Sequence, residues 1–367
     1  VTGSWSTEKG AAMKKRLSAL ALIAALGVGT IPVWAAGGSA DDPVLSLSYL
    51  KSTVKPQLTQ SLRGTLFASS GSGTKAAAQV TVEQTRYKEG DALTAKTGSE
   101  LLVLAGTVSV SFPGGAVVNA TAGSETPSGT ALSVNSRYIV GEDTSAVFTV
   151  TSPTAVVSCT GAVTCAPSSK PDYNAMADAL HSLSLLAGTG TGFGSGYDLE
   201  KQPTRIEAIV MFIRLLGEEN AALACKDSHP FTDVPAWADR YVAYAYAKGY
   251  SNGAGGRQFA STRVITAKEY VEFVMRALRY SSTAHTDLST TLNDAKSAGL
   301  LNASEYDLLN RTALLRAHLV YLSYYALTTP VSGSTNTLEQ QLAAQGVFSQ
   351  SALTAAHAMV TTARLGT

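Results

Sequence analysis

A serine and a lysine three residues apart give the chain its most specific catalytic pattern. Ser72 and Lys75 match the S-x-x-K of a serine nucleophile activated for acyl transfer, and Lys96-Thr97-Gly98 matches the K-T-G that accompanies it. However, Ser72 lies in a Gly/Ser-rich linker instead of a helix start, and the Ser-x-Asn triplet at Ser133 follows the K-T-G instead of preceding it. We therefore predict no acyl-transfer site.

Two other kinds of site lack part of their pattern. The glycine-rich stretch at 188–196 contains no G-x-G-x-x-G, follows no predicted strand and precedes no Lys-Ser/Thr pair, so it does not predict a phosphate loop. The histidines are scattered and form neither H-E-x-x-H nor a Cys/His cluster. We expect no enzyme, no metal and no cofactor.

The charge balance excludes one class of partner. Lys and Arg number 28 and Asp and Glu number 27, which gives a formal net charge of +1. Binding of nucleic acid through bulk electrostatics needs a strongly basic surface, so we expect no nucleic-acid partner. A local basic patch for an anionic polymer remains compatible with this balance.

The N-terminal residues predict export. A charged segment at Met13–Arg16 precedes the apolar run Leu17–Ile31, and small residues follow near Ala35. This is the pattern of a secretory signal peptide at 13–36, after an upstream extension at 1–12. The alternative, a membrane anchor, is disfavoured because the run is short and no basic stop-transfer cluster follows. We expect no membrane span after cleavage.

The remaining chain divides by its hydrophobic period. Residues 37–78 form an N-terminal segment and linker. Residues 79–166 alternate apolar and polar residues between turn signals, which predicts an all-β sandwich or roll. Residues 172–328 and the tail at 329–367 have helical patterns instead. The chain is therefore predicted to be multidomain.

The helical part contains an internal repeat. "TRIEAIVMFIRLLG" begins at Thr204, and "TAKEYVEFVMRALRY" begins at Thr266 and aligns with it without gaps. A weaker third copy, "LLRAHLVYLSYYAL", places Arg316 where Arg205 stands in the first. Each copy follows another helix and a turn, so the unit is a helix, a loop and a second helix, used three times.

Local signals predict where these helices begin and end. Thr204 with Glu207 and Thr266 with Glu269 have the spacing of reciprocal capping boxes. In the stretch from Phe231 to Gly253, Asp233 is expected to cap a helix that buries one stripe and stops at a left-handed glycine. The stripe consists of Trp237, Tyr241 and Ala245, and the stop is Gly249.

The stretch "FTDVPAWADRYVAYAYAKGYSNG" resembles the S-layer homology (SLH) family. It follows that family's F-x-D-V-x-x-W-A and G-x-x-x-G patterns, the latter at Gly249 and Gly253, and the resemblance extends over residues 173–327. It implies an all-α pseudo-three-fold bundle that binds pyruvylated secondary cell-wall polysaccharide. It also implies a protein secreted to the cell wall, or S-layer surface, of a Gram-positive-type bacterium.

The resemblance also implies which residues contact the glycan. Arg205 stands in the only intact T-R-x-E, where it is either a ligand contact or a solvated charge at a helix start. Arg316 occupies the same slot in the third copy, whereas the second copy has Ala267 there with Lys268 beside it. The remaining candidates, Thr204 and Glu207, are either ligand contacts or helix caps alone.

The sequence thus predicts an exported cell-envelope protein. Its SLH-like repeats would anchor it without a covalent bond to wall polysaccharide, and its β-domain would be displayed. The alternative is a structural, self-assembling surface protein whose divergent repeats make protein contacts instead of binding glycan. The incomplete set of groove arginines is the feature that separates the two.

Overall fold

A computed structural model describes residues 83–190, 193–194, 196–282, 285 and 287–367. The upstream extension, the signal peptide at 13–36, and Ser72 and Lys75 lie outside the described residues. The described part belongs to one compact unit, Gln79–Thr367. No helix within that described part is long and apolar enough to cross a membrane.

The first half of the described chain forms two antiparallel sheets. Their orders are β1-β10-β3-β8-β5-β6 and β11-β2-β9-β4-β7. The strands are β1 (Thr85–Lys88), β2 (Ala92–Lys96), β3 (Glu100–Ala105), β4 (Val108–Ser111), β5 (Ala116–Asn119), β6 (Ser124–Thr126), β7 (Thr130–Ala131), β8 (Ser136–Gly141), β9 (Ser145–Val150), β10 (Thr154–Thr160) and β11 (Val163–Ala166).

The core of the sandwich comes from alternate residues of these strands. Leu93 lies opposite Phe148 in one sheet, and Leu101 lies opposite Tyr138 in the other. All four side chains are buried and belong to one apolar cluster that both sheets share. Because strand side chains alternate between faces, the period-two pattern places one face of each sheet inside. The predicted β-sandwich is confirmed.

The second half is helical. The helices are α1 (Tyr173–Ser182), α2 (Arg205–Leu215), α3 (Glu219–Leu223), α4 (Asp239–Ala247), α5 (Ala267–Ala277), α6 (Thr291–Ser297), α7 (Ala303–Arg311), α8 (Arg316–Leu327), α9 (Leu338–Ala344) and α10 (Gln350–Met359). They share one apolar core, to which the tail helices contribute Leu342, Leu353 and Ala356. The tail therefore packs on the other helices.

Both predicted capping boxes are present. The Thr204 N–H donates to Glu207 Oε2 at 2.7 Å, and the Thr266 N–H donates to Glu269 Oε2 at 2.9 Å. Each threonine hydroxyl accepts from the glutamate N–H in return. In the third copy Leu315 has no side-chain acceptor, so only half a box forms, in which its N–H donates to His318 Nδ1 at 3.1 Å.

The end of α4 is built as predicted, but the expected stripe is wrong at one residue. Gly249 has φ +70°, the left-handed conformation that ends the helix. Tyr241 and Ala245 are buried, whereas the side chain of Trp237 is 60% exposed. A 3₁₀ turn at Ala236–Ala238 precedes α4, so the helical period that places Tyr241 inside does not extend back to Trp237.

The expectation that Asp233 caps α4 is also wrong. Its carboxylate accepts from the N–H groups of Phe259 and Ala260, both at 2.7 Å, and so ties together two segments of the second copy. Burial alone would raise the pKa of Asp233, but these N–H groups outweigh it and hold the pKa below its ordinary value. Gly253 is required here as well: it has φ +83°, and a side chain would overlap the ring of Phe231.

Candidate functional site

Two helix starts are bonded in the same way to loops of other copies. At the start of α2, the Arg205 N–H donates to Arg263 O at 2.8 Å, and the Ile206 N–H donates to Ser261 O at 3.2 Å. At the start of α8, the Arg316 N–H donates to Lys201 O at 2.8 Å, and the Ala317 N–H donates to Leu199 O at 3.0 Å. The donors occupy equivalent positions in the first and third copies, and the acceptors occupy equivalent positions in the second and first copies. The start of α2 therefore contacts the second copy in the same way as the start of α8 contacts the first.

A groove lies beside each of these contacts. The first groove has a volume of about 320 Å³ and lies between the start of α2 and the face of α5; Arg205, Arg263, Glu269, Glu272, Phe273 and Arg276 line it. The second groove has a volume of about 440 Å³ and lies between the start of α8 and the face of α2; Arg316, Lys201, Glu207, Val210, Met211 and Arg214 line it.

The repeat relates the two linings residue by residue. Arg205 corresponds to Arg316, and Glu269 corresponds to Glu207. The other corresponding pairs are Arg263 with Lys201, Glu272 with Val210, Phe273 with Met211, and Arg276 with Arg214. Each groove thus combines three cations with two carboxylates, the second carboxylate being Glu272 in the first groove and Asp198 in the second.

Arg205 lies at the base of the first groove and is not the solvated charge considered above. The residue is 5% exposed. Its Nη1 donates to Glu269 Oε1 at 2.7 Å, and its Nη2 donates to Ser251 Oγ at 3.0 Å. Its guanidinium carbon lies 5.6 Å from the ring centroid of Phe273, and among the described residues its Nε has no hydrogen-bond partner.

Arg316 is equally buried but more loosely paired. It is 5% exposed, and its Nε donates to Tyr197 O at 3.0 Å. Its Nη1 lies 3.6 Å from Glu207 Oε1, and the Glu207 side chain is 39% exposed. Burial lowers the pKa of Arg316, which still remains a cation at neutral pH.

The accessible cations are those at the rims. The Arg263 side chain is 43% exposed and the Lys201 side chain 65% exposed, although each contacts a carboxylate, Glu269 and Asp198 respectively. Burial alone would raise the pKa of Glu269, but hydrogen bonds from Arg263 and Thr266 and the charge of Arg205 outweigh it and lower the pKa. In the first groove, these neighbours favour the ionised form of Glu269 beneath the exposed Arg263.

The inner ends of the grooves differ. In the first groove Glu272 is buried and accepts from Arg276 Nε at 2.9 Å and Ser281 Oγ at 2.6 Å, and His285 Nδ1 lies 3.0 Å from its second oxygen. In the second groove Val210 replaces this carboxylate, and Arg214 pairs with Glu219 instead, at 2.7 Å. The first groove is therefore partly filled by a carboxylate of its own chain.

The third possible contact, between α5 and α8, has a different character. Ala267 stands in the arginine slot, and Lys268 is half-buried and lines neither groove. The cavities between α5, α7 and α8 are about 20 and 10 Å³, about the space of one water molecule. Arg364 of the tail lines the larger of these cavities and pairs there with Glu305 of α7.

Sequence reasoning found part of this site. Arg205, Arg316 and Glu207 line grooves, and Glu269, predicted only as a cap, lines one too. Thr204 serves as a cap, and its hydroxyl contacts Glu207 at 2.8 Å. Sequence reasoning did not identify five lining residues: the rim cations Arg263 and Lys201, the inner arginines Arg276 and Arg214, and Trp237. The gap-free alignment of the copies already placed Arg214 on Arg276, which was the available signal.

Part of the chain is similar to a known protein. No protein-family model matches the chain. A segment of 138 residues, 37% of this chain, is 30% identical to the Middle cell wall protein of Brevibacillus brevis. The segment covers 13% of that protein's own length. The chain is therefore distantly similar to part of a bacterial cell wall protein, which is consistent with a location at the cell surface.

Proposed function

We propose that this is an exported, non-enzymatic cell-envelope protein that attaches to anionic secondary cell-wall polysaccharide through the two grooves. One observation carries the proposal: the repeat places three cations and a capping glutamate at equivalent positions of both contacts. Guanidinium groups suit the carboxylate of a pyruvylated sugar because their planar donors match its two oxygens. The distant cell wall relative and the resemblance to SLH repeats support the same conclusion.

Burial of the arginines defines their role in this proposal. Arg205 and Arg316 are held by carboxylates and carbonyls of the protein, so they fix the groove floors. The exposed rim cations, Arg263 and Lys201, would make the first contact with the polymer. Contacts between exposed charges weaken as salt screens them, so attachment should decrease with ionic strength.

The test is pelleting of the full chain with purified Gram-positive sacculi, before and after extraction of the polysaccharide. The double variant Arg263→Gln/Lys201→Gln should bind about tenfold more weakly, because each lost charge removes up to about 1 kcal/mol. Lys226→Gln and Lys268→Gln remove cations that line neither groove and should bind as the wild type does. Equal pelleting after extraction would contradict the proposal.

A second function, assembly through protein contacts, is favoured by a different observation. Both groove arginines already pair with a carboxylate of the same chain, and such ion pairs would equally hold together repeats that bind no glycan. The helical part also exposes Leu223, Tyr246 and Val264, each by 40% or more. Sedimentation of the purified chain as a concentration-dependent oligomer, with no polysaccharide-dependent pelleting, would favour assembly over glycan binding.

A further inference from the structure

Trp237 is the most exposed large apolar side chain of the described residues. It is 60% exposed and lies on the rim of the second groove. Its backbone is held firmly, because the Ala238 N–H donates to Pro235 O at 2.9 Å and Ala238 itself is fully buried. The indole therefore projects from a fixed turn, and its exposure does not come from a loose segment.

Polar and charged side chains lie beside the indole in the second groove, whose wall also contains Val210 and Met211. Asp198, Gln202, Glu207 and Arg316 line it together with the indole. A ligand that suits both must have one apolar face for the aromatic ring and a polar edge for hydrogen bonds. A pyranose ring has this character, since its axial C–H groups form an apolar face and its hydroxyls project around the edge.

We infer that Trp237 is a stacking platform for a sugar ring of the polysaccharide bound in the second groove. This inference rests on the proposed function and adds to it. The charged rim would bind the carboxylate substituent of the polymer, and the indole would cover the face of a sugar ring. Trp237 is thereby a contact residue supplied by the second copy to a groove between the third and the first.

The first groove lacks such a platform among its described lining residues. Leu288, which precedes α6 as Trp237 precedes α4, lines that groove. Of the two aromatic rings among the described lining residues, Phe273 is 3% exposed beneath Arg205, and His285 is bonded to Glu272. Glu272 further fills the inner end of that groove. The two grooves therefore differ in what they recognise, and ring recognition belongs to the second.

The sequence provides a direct optical test. The chain has three tryptophans, Trp5, Trp34 and Trp237, so a full-length Trp5→Phe/Trp34→Phe protein has Trp237 as its only indole. Its fluorescence would be titrated with polysaccharide released from Gram-positive sacculi. We expect a saturable change in intensity or emission maximum, with the same midpoint as pelleting.

Pelleting of variants completes the experiment. Trp237→Ala should weaken binding to sacculi about tenfold, the scale of a lost aromatic contact, whereas Trp237→Phe should retain most of it. Tyr246→Ala is the matched control, because Tyr246 is 40% exposed and lines neither groove. Circular dichroism would verify that the variants are folded.

Each outcome decides the inference. Weak binding of Trp237→Ala together with a saturable signal supports it. Normal binding of Trp237→Ala, in a protein whose Arg263→Gln/Lys201→Gln variant binds weakly, overturns the stacking role and leaves the proposed function intact. No binding by the wild type overturns both. If Trp237→Ala instead abolishes self-association seen by sedimentation, the indole belongs to a protein interface and the inference is wrong.

Discussion

Arg86 of β1 forms a bidentate ion pair with Asp178 of α1, in which Nη1 donates to Oδ1 at 3.1 Å and Nη2 donates to Oδ2 at 2.8 Å. Its guanidinium carbon also lies 5.6 Å from the ring centroid of Tyr197. Nearby, the Thr154 hydroxyl donates to Glu200 Oε1 at 2.7 Å. Tyr197 and Glu200 flank Asp198, which lines the second groove. The sandwich thus holds one wall of that groove.

We predict that Arg86→Met lowers the free energy of unfolding by about 1 kcal/mol, because the pair is bidentate but only partly buried. The loss should appear in urea denaturation. Hydrogen–deuterium exchange should also become faster in the segment around Asp198, which the sandwich would no longer hold.

The matched control is Arg137→Met. Arg137 pairs with Glu100 within the sandwich at 3.3 Å and is 53% exposed, so its loss should be below about 0.5 kcal/mol and leave exchange near Asp198 unchanged. Equal effects of the two substitutions would mean that Arg86 does not support the groove wall.

Features with local causes were predictable from the sequence. The capping boxes at Thr204 and Thr266 depend on residues three positions apart, and the stop at Gly249 depends on one glycine's conformational freedom. The sandwich followed from the period of its strands. These features could be predicted because residues close together in the sequence determine them.

Features that depend on long-range contacts were not predictable. Asp233 looked like a helix cap, but its partners are the N–H groups of Phe259 and Ala260. Trp237 is a local exception, since it fits a helical stripe but the 3₁₀ turn at Ala236–Ala238 places it off the buried face. The exposure of Arg205 likewise depends on another copy, since Glu269 and Ser251 surround it. Neither the hydrophobic period nor the spacing of residues in the sequence indicates these contacts.

The two groove arginines should differ in their effect on stability. Arg205→Met removes the buried 2.7 Å ion pair with Glu269 and the hydrogen bond to Ser251. Glu269 keeps its contact with Arg263, so its charge is not left unpaired, and we expect a loss of about 2–3 kcal/mol. Arg316→Met mainly removes one hydrogen bond to Tyr197 O, because Glu207 lies 3.6 Å away and is partly solvated, so the loss should be about 1–2 kcal/mol. Urea denaturation of both variants measures this order. Equal losses would show that the Glu269 pair contributes no more than the Glu207 pair.

The tail should be fixed by one buried carboxylate. Glu305 is 1% exposed, and it accepts from Arg364 Nη2 at 2.7 Å and from the Tyr321 hydroxyl at 2.6 Å. Arg364→Met should therefore destabilise the protein by about 3 kcal/mol, since it leaves this charge without a cation. Adding Glu305→Gln should recover part of the loss by removing the charge. No recovery in the double variant would contradict this account.

His318 should make stability depend on pH. It is 3% exposed, and burial lowers its pKa to about 4 from an ordinary value of 6.5. Its Nδ1 accepts from the Leu315 N–H, a bond that only the unprotonated nitrogen can accept. The unfolded chain therefore binds a proton at this residue near pH 6.5, whereas the folded chain binds it only near pH 4.

Stability from this residue is thus complete above about pH 6.5 and decreases as the pH falls to about 4, by up to about 3 kcal/mol. Carboxylates with lowered pKa values also lose stability in acid, so the wild type must be compared with His318→Gln. The glutamine can accept the same N–H through its amide oxygen but does not titrate. We expect the free energy of unfolding of the wild type to fall more steeply between pH 6.5 and 4.5 than that of His318→Gln. Parallel curves would mean that His318 is protonated without cost in the folded protein, against its burial.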